Sequence, residues 1–331
     1  MLSLRSKQVK SWSATWEDRV SRLIPSNYYT NKHVIISFLQ SMSLRHNFSS
    51  DVFELQNRVS GKVEDCEQGL VNSQSKIYIH ISDEHTLVLP GGRHLPPNSR
   101  PGKVPSLDGH GFYLVCLNYP NCVAASDVTI DYSNMNIQNL QLSGFFTHDL
   151  MQKFVYVPCL PFAFEPTKSK HAERGMMTTF WFTNPRGDRR TEINEQISTL
   201  GFEVKNINFK SLEEYYTLLE GTRILVNVHQ TPHHHTLEEL RILPALSRGV
   251  IIVSESVPLQ VYVPFSEYIV FAPYHELAKT AADVYKNYTE HWNRIFGPSS
   301  KLNETLSVLL SNSYTALETR VLAVARSKKI I

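Results

Sequence analysis

Short apolar runs alternate with helical patterns through the second half of the chain. Strands are predicted at 178–183, 202–209, 224–228, 250–253 and 268–271, and helices at 191–200, 211–219 and 276–285, with a further helical pattern that ends at Gly249. Such a strand–helix series is typical of a parallel sheet covered by helices on both faces.

The most informative stretch runs from Arg223 to Pro258 and predicts a strand, a loop, a helix and a second strand. Its length suits the crossover of a parallel βαβ unit. Ligands of such sheets bind beyond the carboxyl ends of the strands. His229, Glu238 and Glu255 lie at or next to that edge, so they are candidate binding residues.

The first half is less regular. Strands are predicted at 76–81, 112–117, 127–130 and 154–157, whereas 90–111 is so rich in proline and glycine that we interpret it as a loop without an element of its own. Residues 158–175 resemble a linker in composition. A chain of 331 residues exceeds one ordinary core, so two domains are expected.

Composition narrows the class of protein. Hydrophobic residues make up 42% of the chain and the net charge is +2, which gives no electrostatic case for a nucleic-acid partner. The four cysteines lack metal-ligand spacing. No signal-peptide core and no apolar run of membrane-spanning length is present, so we expect a soluble, cytoplasmic protein without an integral membrane segment.

A basic turn follows the first strand of the second half. It contains Asn184, Arg189 and Arg190 and leads into a helix. Free backbone N–H groups at a helix start favour anions, and arginines add bidentate phosphate contacts. The alternative is a charged turn that is simply solvated.

The start of the next helix offers a second candidate. Thr236 is a predicted N-cap, with Glu239 at the capping-box position. Glu238 is then free to accept the two hydroxyls of a ribose, and Arg241 lies three residues later on the same side. The alternative for this pair is ordinary electrostatics at a helix start.

The histidine run 233–235, with His229, suggests a metal at first sight. Three adjacent histidines in a loop cannot easily face one ion, and no cysteine or carboxylate stands at ligand spacing. We therefore predict no metal and interpret these histidines as hydrogen-bond donors to a phosphate or a sugar.

In the first half, Asp83, His85 and Asp131 follow predicted strands. Each is a candidate general base. Asp131 equally suits the capping of the turn that follows it.

Taken together, these motifs resemble those of GT-B glycosyltransferases, in particular the surface-glycan enzymes of bacteria and large DNA viruses. The resemblance rests on Asn227-Val228-His229, on Leu237-Glu238-x-x-Arg241-Ile242 with Ala245-Leu246-x-x-Gly249, on Val253-Ser254-Glu255, on the pair Arg189-Arg190 and, in the first half, on Asp131-Tyr132-Ser133 with Asn136. Pro244 stands where the commonest pattern has a glutamate, so the ribose-binding role would pass to Glu238.

The resemblance implies two Rossmann-like domains that face each other across a cleft. Residues 1–165 would bind a glycan or glycoprotein acceptor, residues 176–312 would bind a nucleoside-diphosphate sugar, and a helix within 313–331 would cross back to the first domain. UDP is favoured over GDP as the nucleotide. No metal and no separate cofactor is expected.

The resemblance also implies roles for the candidate residues. The phosphates would be held by Arg189, Arg190, His229, Asn184 and Thr236, the ribose by Glu238, and the donor sugar or its loop by Glu255. An inverting reaction would need one of the candidate bases, and a retaining reaction would not.

Three alternatives use the same architecture. The first is a nucleotide-sugar epimerase or hydrolase, and the second a non-catalytic nucleotide-sugar-binding protein. The third, a transferase acting on DNA bases, is disfavoured because the chain has no basic, aromatic-interleaved stretch.

Overall fold

A computed structural model describes the chain at residues 77, 79–82, 87–90, 102–105, 112–116, 120–158, 160, 174–180, 189–207, 212–229 and 236–329. The chain divides into two compact units. One contains residues 159–309, and the other combines residues up to 158 with residues 310–331. Each unit has its own core and is described separately.

The described residues of the first-half unit form two small sheets. Its elements are β1 (Ile79–Ser82), β2 (Leu87–Pro90), β3 (Gly102–Pro105), β4 (Phe112–Cys116), α1 (Pro120–Ala125), β5 (Val128–Asp131), α2 (Asn134–Ser143), α3 (His148–Met151) and β6 (Phe154–Tyr156). Strands β1, β5 and β6 pair in parallel, in that order. Strands β2, β4 and β3 form an antiparallel sheet.

Strand β3 corrects one prediction. Residues 90–111 are expected to carry no element, yet residues 102–105 pair with β4, with Val104 opposite Tyr113. The proline at 105 is tolerated because β3 lies at an edge of its sheet, where a missing N–H donor costs little.

In the second-half unit, the described strands form one parallel sheet. Its elements are β7 (Met176–Phe180), α4 (Arg189–Thr199), β8 (Val204–Ile207), α5 (Leu212–Gly221), β9 (Thr222–Asn227), α6 (Glu239–Leu246), β10 (Ile251–Glu255), two short 3₁₀ turns (Gln260–Tyr262 and Ser266–Tyr268), β11 (Ile269–Ala272), α7 (Tyr274–Lys286), α8 (Tyr288–Phe296) and α9 (Leu302–Ser327). The strand order is β11-β10-β9-β7-β8, and all neighbours are parallel.

Helices cover both faces of this sheet. Every residue of β10 is buried, which requires packing above and below the strand. Helices α4 and α7 contact each other, and α5 contacts α6 through a hydrogen bond from the Tyr215 hydroxyl to the Arg241 carbonyl, 3.1 Å. The predicted α/β class, with parallel sheets flanked by helices, is confirmed.

The strand order also defines where a ligand belongs. The chain passes from β7 to β8 at one edge of the sheet and then returns to β9 on the other side of β7. Connections therefore diverge between β7 and β9, and such a switch point opens a crevice at the carboxyl ends of the strands. The polar residues that follow β7, β9 and β10 are thus gathered at the place where this fold class binds its ligands.

Helix α9 contributes to both units. It runs from Leu302 to Ser327, so the helix expected within 313–331 is the later part of a longer one, and the division between the units falls within it, after Leu309. Its end is fixed to the first-half unit by an ion pair from Lys328 to Asp127, 2.6 Å.

Candidate functional site

The candidate site lies at the carboxyl edge of the parallel sheet, where β7, β9 and β10 end. Helix α4 begins at Arg189, so Arg189 and Arg190 are its first two residues rather than part of the preceding turn. His229 follows β9, and Glu255 is the last residue of β10. The structure therefore brings together residues that are far apart in sequence.

Arg189 is held by a forked ion pair with Glu255. Its Nη2 donates to Glu255 Oε1 at 2.6 Å and its Nη1 donates to Glu255 Oε2 at 3.2 Å. Nη1 also lies 3.3 Å from the carbonyl oxygen of His229. The backbone N–H of His229 donates to Glu255 Oε2 at 3.1 Å, so the carboxylate joins α4 to the end of β9.

Arg190 enters a buried charge cluster behind this pair. Its Nε donates to the carbonyl of Val228 at 3.0 Å, and its Nη2 lies 4.0 Å from Glu238 Oε1. Arg241 forms an ion pair with the other oxygen of Glu238, as their three-residue spacing predicts. Arg190 is 1% exposed and Glu238 2%, so one carboxylate serves two guanidinium groups away from water.

The predicted capping box at Thr236 is wrong. The helix begins at Glu239, the N-cap position is Glu238, and no side chain caps it. The backbone N–H groups of Arg241 and Ile242 both donate to the Glu238 carbonyl, which places the first turn after Thr236. The later start allows Glu238 to turn inward between its two arginines, and the ion pairs thereby replace the expected cap.

Tyr274 is a site residue that the sequence pattern did not reveal. It is the first residue of α7, directly after β11, and its ring lies under the Arg189 guanidinium at 3.9 Å. Its hydroxyl donates to Glu192 Oε2 at 2.7 Å and lies 3.0 Å from the Arg189 carbonyl. Burial, with the nearby Glu192 carboxylate, raises the pKa of the Tyr274 hydroxyl. The position of Tyr274 just after a strand end is the signal that could have found it.

Asn227 and Ser254 form a polar step between β9 and β10. Asn227 Nδ2 donates to Ser254 Oγ at 3.0 Å, and Ser254 Oγ donates to the Glu255 carbonyl at 3.1 Å. Both side chains are buried. They fix the backbone at Glu255 and so orient the carboxylate that binds Arg189.

Asp131 lies at the end of β5 in the other unit, with no exposed surface. Its Oδ1 accepts hydrogen bonds from the Ser133 backbone N–H at 2.9 Å and from Asn136 Nδ2 at 3.0 Å. This is the geometry of the turn-capping alternative, because the carboxylate orders the entry to α2. Its role as a general base stays a prediction.

Several predicted residues lie outside the described part of the chain, namely Asp83, His85, Asn184 and the histidines 233–235. Among the residues that the structure does describe, no group of three or more histidine, cysteine or acidic side chains is arranged to hold a metal ion. The prediction that no metal is required is not tested by this finding. Within the same described ranges, no helix combines the length and the apolar character needed to span a bilayer.

Comparison with known proteins gives a related sequence and several similar structures. No family model matches the chain. It is 30% identical over 112 residues to the uncharacterized protein R358 of Acanthamoeba polyphaga mimivirus, and the match spans 33% of this chain and 39% of that protein.

The structural similarities are distant. One is to a crystal structure of accessory secretory protein 1, 2 and 3 in Streptococcus pneumoniae, with a TM-score of 0.41 and 13% identity, over 82% of this chain and 57% of that one. Another is to a crystal structure of a GtfA/B complex, with a TM-score of 0.44 and 9% identity, over 82% of this chain and 56% of that one. The chain therefore spans little more than half of either structure.

Proposed function

We propose that the protein is a GT-B glycosyltransferase that transfers a sugar from a nucleoside diphosphate to a hydroxyl group of a glycan or glycoprotein acceptor, without a metal ion. The observation that carries the proposal is the gathering of Arg189, Arg190, His229, Glu238 and Glu255 at the β7–β9 switch point. The motif resemblance at the same residues supports it. UDP is the favoured nucleotide and GDP the second choice.

Sugar transfer requires positive charge at the place where the nucleoside diphosphate leaves. The acceptor hydroxyl oxygen bonds to the anomeric carbon as the bond from that carbon to the phosphate oxygen breaks, and the nucleoside diphosphate leaves with the electron pair. Preorganised cations stabilise that developing charge. Arg189 and Arg190, at the first turn of α4, would perform this task together with the helix N-terminus.

The remaining roles follow from position. Glu238 would accept hydrogen bonds from the ribose, His229, Asn184 and Thr236 would contact the phosphates, and Glu255 would lie by the donor sugar or support its loop. In an inverting reaction Asp83, His85 or Asp131 would take the proton of the acceptor hydroxyl.

A ligand panel tests the proposal. UDP, GDP, dTDP and CMP are added separately to the purified chain and the thermal transition is recorded, because a ligand that binds the folded state raises its apparent stability. We expect UDP, or else GDP, to give the largest increase. If none of the four changes the transition and calorimetry detects no heat of binding, the proposed donor is wrong.

Turnover then separates transfer from the alternatives. The nucleotide-sugar whose nucleotide binds is incubated with the chain, with and without a panel of glycan acceptors. Acceptor-dependent release of the nucleotide supports a transferase. Rapid epimerisation or release of free sugar without acceptor would identify an epimerase or hydrolase, and binding without any turnover would favour a non-catalytic protein.

A further inference from the structure

The Glu255 carboxylate occupies an anion-binding position that the chain itself provides. Its two oxygens accept hydrogen bonds from both terminal nitrogens of Arg189 and from the backbone N–H of His229, at 2.6, 3.2 and 3.1 Å. A forked guanidinium with a convergent backbone N–H is the donor set that proteins present to phosphoryl groups. The same donors would suit a phosphate oxygen as well as a carboxylate oxygen.

The described guanidinium groups at this sheet edge are already paired. Arg189 is paired with Glu255, while Arg190 and Arg241 share Glu238. Three guanidinium groups share two carboxylates, so a diphosphate that binds here meets cations that each already contact a carboxylate. One carboxylate must therefore give way before its guanidinium fork can serve the ligand.

Glu255 is the carboxylate that can leave. Its side chain is 10% exposed and binds one guanidinium, whereas the side chain of Glu238 is 2% exposed and lies between two. Moving Glu238 would strand two arginines away from water, which is far more costly than releasing a partly exposed pair. Arg189 would stay in place without Glu255, because Tyr274 lies beneath its guanidinium.

We propose that Glu255 holds the place of a donor phosphoryl group at an Arg189–His229 anion subsite and is displaced when the nucleotide binds. This inference rests on the proposed function and refines the role of Glu255 within it. Glu255 thereby lowers the affinity for the diphosphate, which keeps the leaving nucleotide from binding too tightly after transfer. The subsite also selects a phosphorylated ligand over an uncharged sugar.

Calorimetry of two variants with two probes tests the inference. Inorganic pyrophosphate and UDP are titrated into the wild-type chain, into Glu255→Gln and into Glu276→Gln. Glu276 is a matched control because it is exposed, lies in the first turn of α7, and loses the same charge on substitution. Circular dichroism checks that each variant is folded.

We expect Glu255→Gln to bind both probes about tenfold more tightly than wild type, because the neutral amide competes weakly for a guanidinium. Glu276→Gln should change affinity less than about twofold, since exposed charges are screened. Weaker binding by Glu255→Gln would show that Glu255 positions Arg189 instead. Equal tightening by both variants would show a general charge effect. Either result overturns the inference.

The remaining outcomes distinguish a failure of the subsite inference from a failure of the proposed function. If UDP binds wild type and Glu255→Gln equally, the subsite inference falls and the proposed donor stands. If pyrophosphate binds Glu255→Gln more tightly but UDP binds no form, the subsite stands and UDP falls as the donor nucleotide. If neither probe binds any form, the subsite inference and UDP as the donor nucleotide are both wrong.

Discussion

At the scale of single residues, the candidate site is a set of buried charges that satisfy one another. Glu238 lies between Arg190 and Arg241, and two of these three side chains are almost fully buried. Removing one partner of a buried ion pair leaves an uncompensated charge, which costs more than the pair itself contributes. Variants of this cluster are therefore expected to change stability as well as affinity for the proposed donor.

Glu238→Ala is expected to destabilise the unit of residues 159–309 by about 3–5 kcal/mol, because two guanidinium groups lose their carboxylate. Urea unfolding monitored by circular dichroism measures the loss. Glu195→Ala, at an exposed position of α4, serves as the control and should stay within about 0.5 kcal/mol of wild type. A loss below about 1 kcal/mol in Glu238→Ala would mean that the cluster is not compact in solution.

His80 makes the first-half unit sensitive to acid. It is 5% exposed on β1, its Nδ1 has no hydrogen-bond partner among the described residues, and burial lowers its pKa from 6.5 to about 4. The folded state binds a proton at His80 less readily than the unfolded state does. The contribution of neutral His80 to the free energy of unfolding is therefore complete above pH 6.5 and is lost as the pH falls towards 4.

The expected loss from His80 is on the order of 3 kcal/mol between pH 6.5 and pH 4. Unfolding free energies of wild type and His80→Gln, measured across this range, isolate the contribution as the difference between their slopes. The exposed His148 provides the control, since an exposed substitution such as His148→Gln should change stability by less than about 0.5 kcal/mol. Parallel curves for wild type and His80→Gln would refute the assignment.

At the scale of elements, the strands of the second-half sheet are predictable from sequence. β9, β10 and β11 each contain a short apolar run, and burial on both faces demands that composition, whereas the edge strand β8 carries the exposed Lys205. Helix α2 is different, because its buried residues are Met135, Asn136, Asn139 and Leu140. Two buried asparagines remove the apolar periodicity, so no helix is predicted there, although Asn136 is placed by its bond to Asp131.

The sequence places the candidate residues at one sheet edge but predicts only one of the ion pairs between them. The Glu238–Arg241 pair is local, so helix spacing suffices to predict it. The Arg189–Glu255 pair joins residues on α4 and β10, and only the strand order makes them neighbours. For the same reason the inward turn of Glu238 towards Arg190, which displaces the predicted cap at Thr236, follows from tertiary packing.

Arg174 links the starts of two strands at the amino-terminal edge of the same sheet. Its guanidinium donates to the carbonyls of Thr222, Arg248 and Gly249, at 3.3, 2.6 and 2.6 Å, and the side chain is buried. Thr222 begins β9, and Gly249 lies just before β10. One side chain thus anchors the starts of neighbouring strands, at the edge opposite to the candidate site.

Arg174→Met should cost at least about 3 kcal/mol of stability, because hydrogen bonds from a charged donor are worth about 1.5–3 kcal/mol each and three carbonyls lose theirs. The affinity of the folded variant for UDP should stay within about twofold of wild type, since additivity holds for distant sites. Urea unfolding and calorimetry measure the two quantities, and Lys205→Met on the exposed side of β8 is the control. Loss of affinity without loss of stability would contradict the assignment of Arg174 to stability and of the opposite sheet edge to ligand binding.

At the scale of the whole molecule, the later part of helix α9 supplies core residues of the first-half unit. Helix α9 starts among the residues of one unit, and its later part packs within the other. In that later part the apolar side chains of Tyr314, Leu317, Val321 and Ala325 are buried. The unit that contains β1, β5 and β6 therefore depends on residues from the far end of the chain.

Leu317→Ala is the sharpest test of this dependence. Leu317 is fully buried on α9, so we expect a loss of about 2–5 kcal/mol from the unit of residues up to 158 and 310–331, through lost transfer energy and a cavity. Val308, on the same helix, is 52% exposed, and Val308→Ala should change stability by less than about 0.5 kcal/mol. Differential scanning calorimetry of both variants should show one transition lowered by Leu317→Ala and neither lowered by Val308→Ala. Equal effects of the two substitutions would mean that the end of α9 does not belong to the core of that unit, and the sequence from 310 onwards would then be dispensable for its folding.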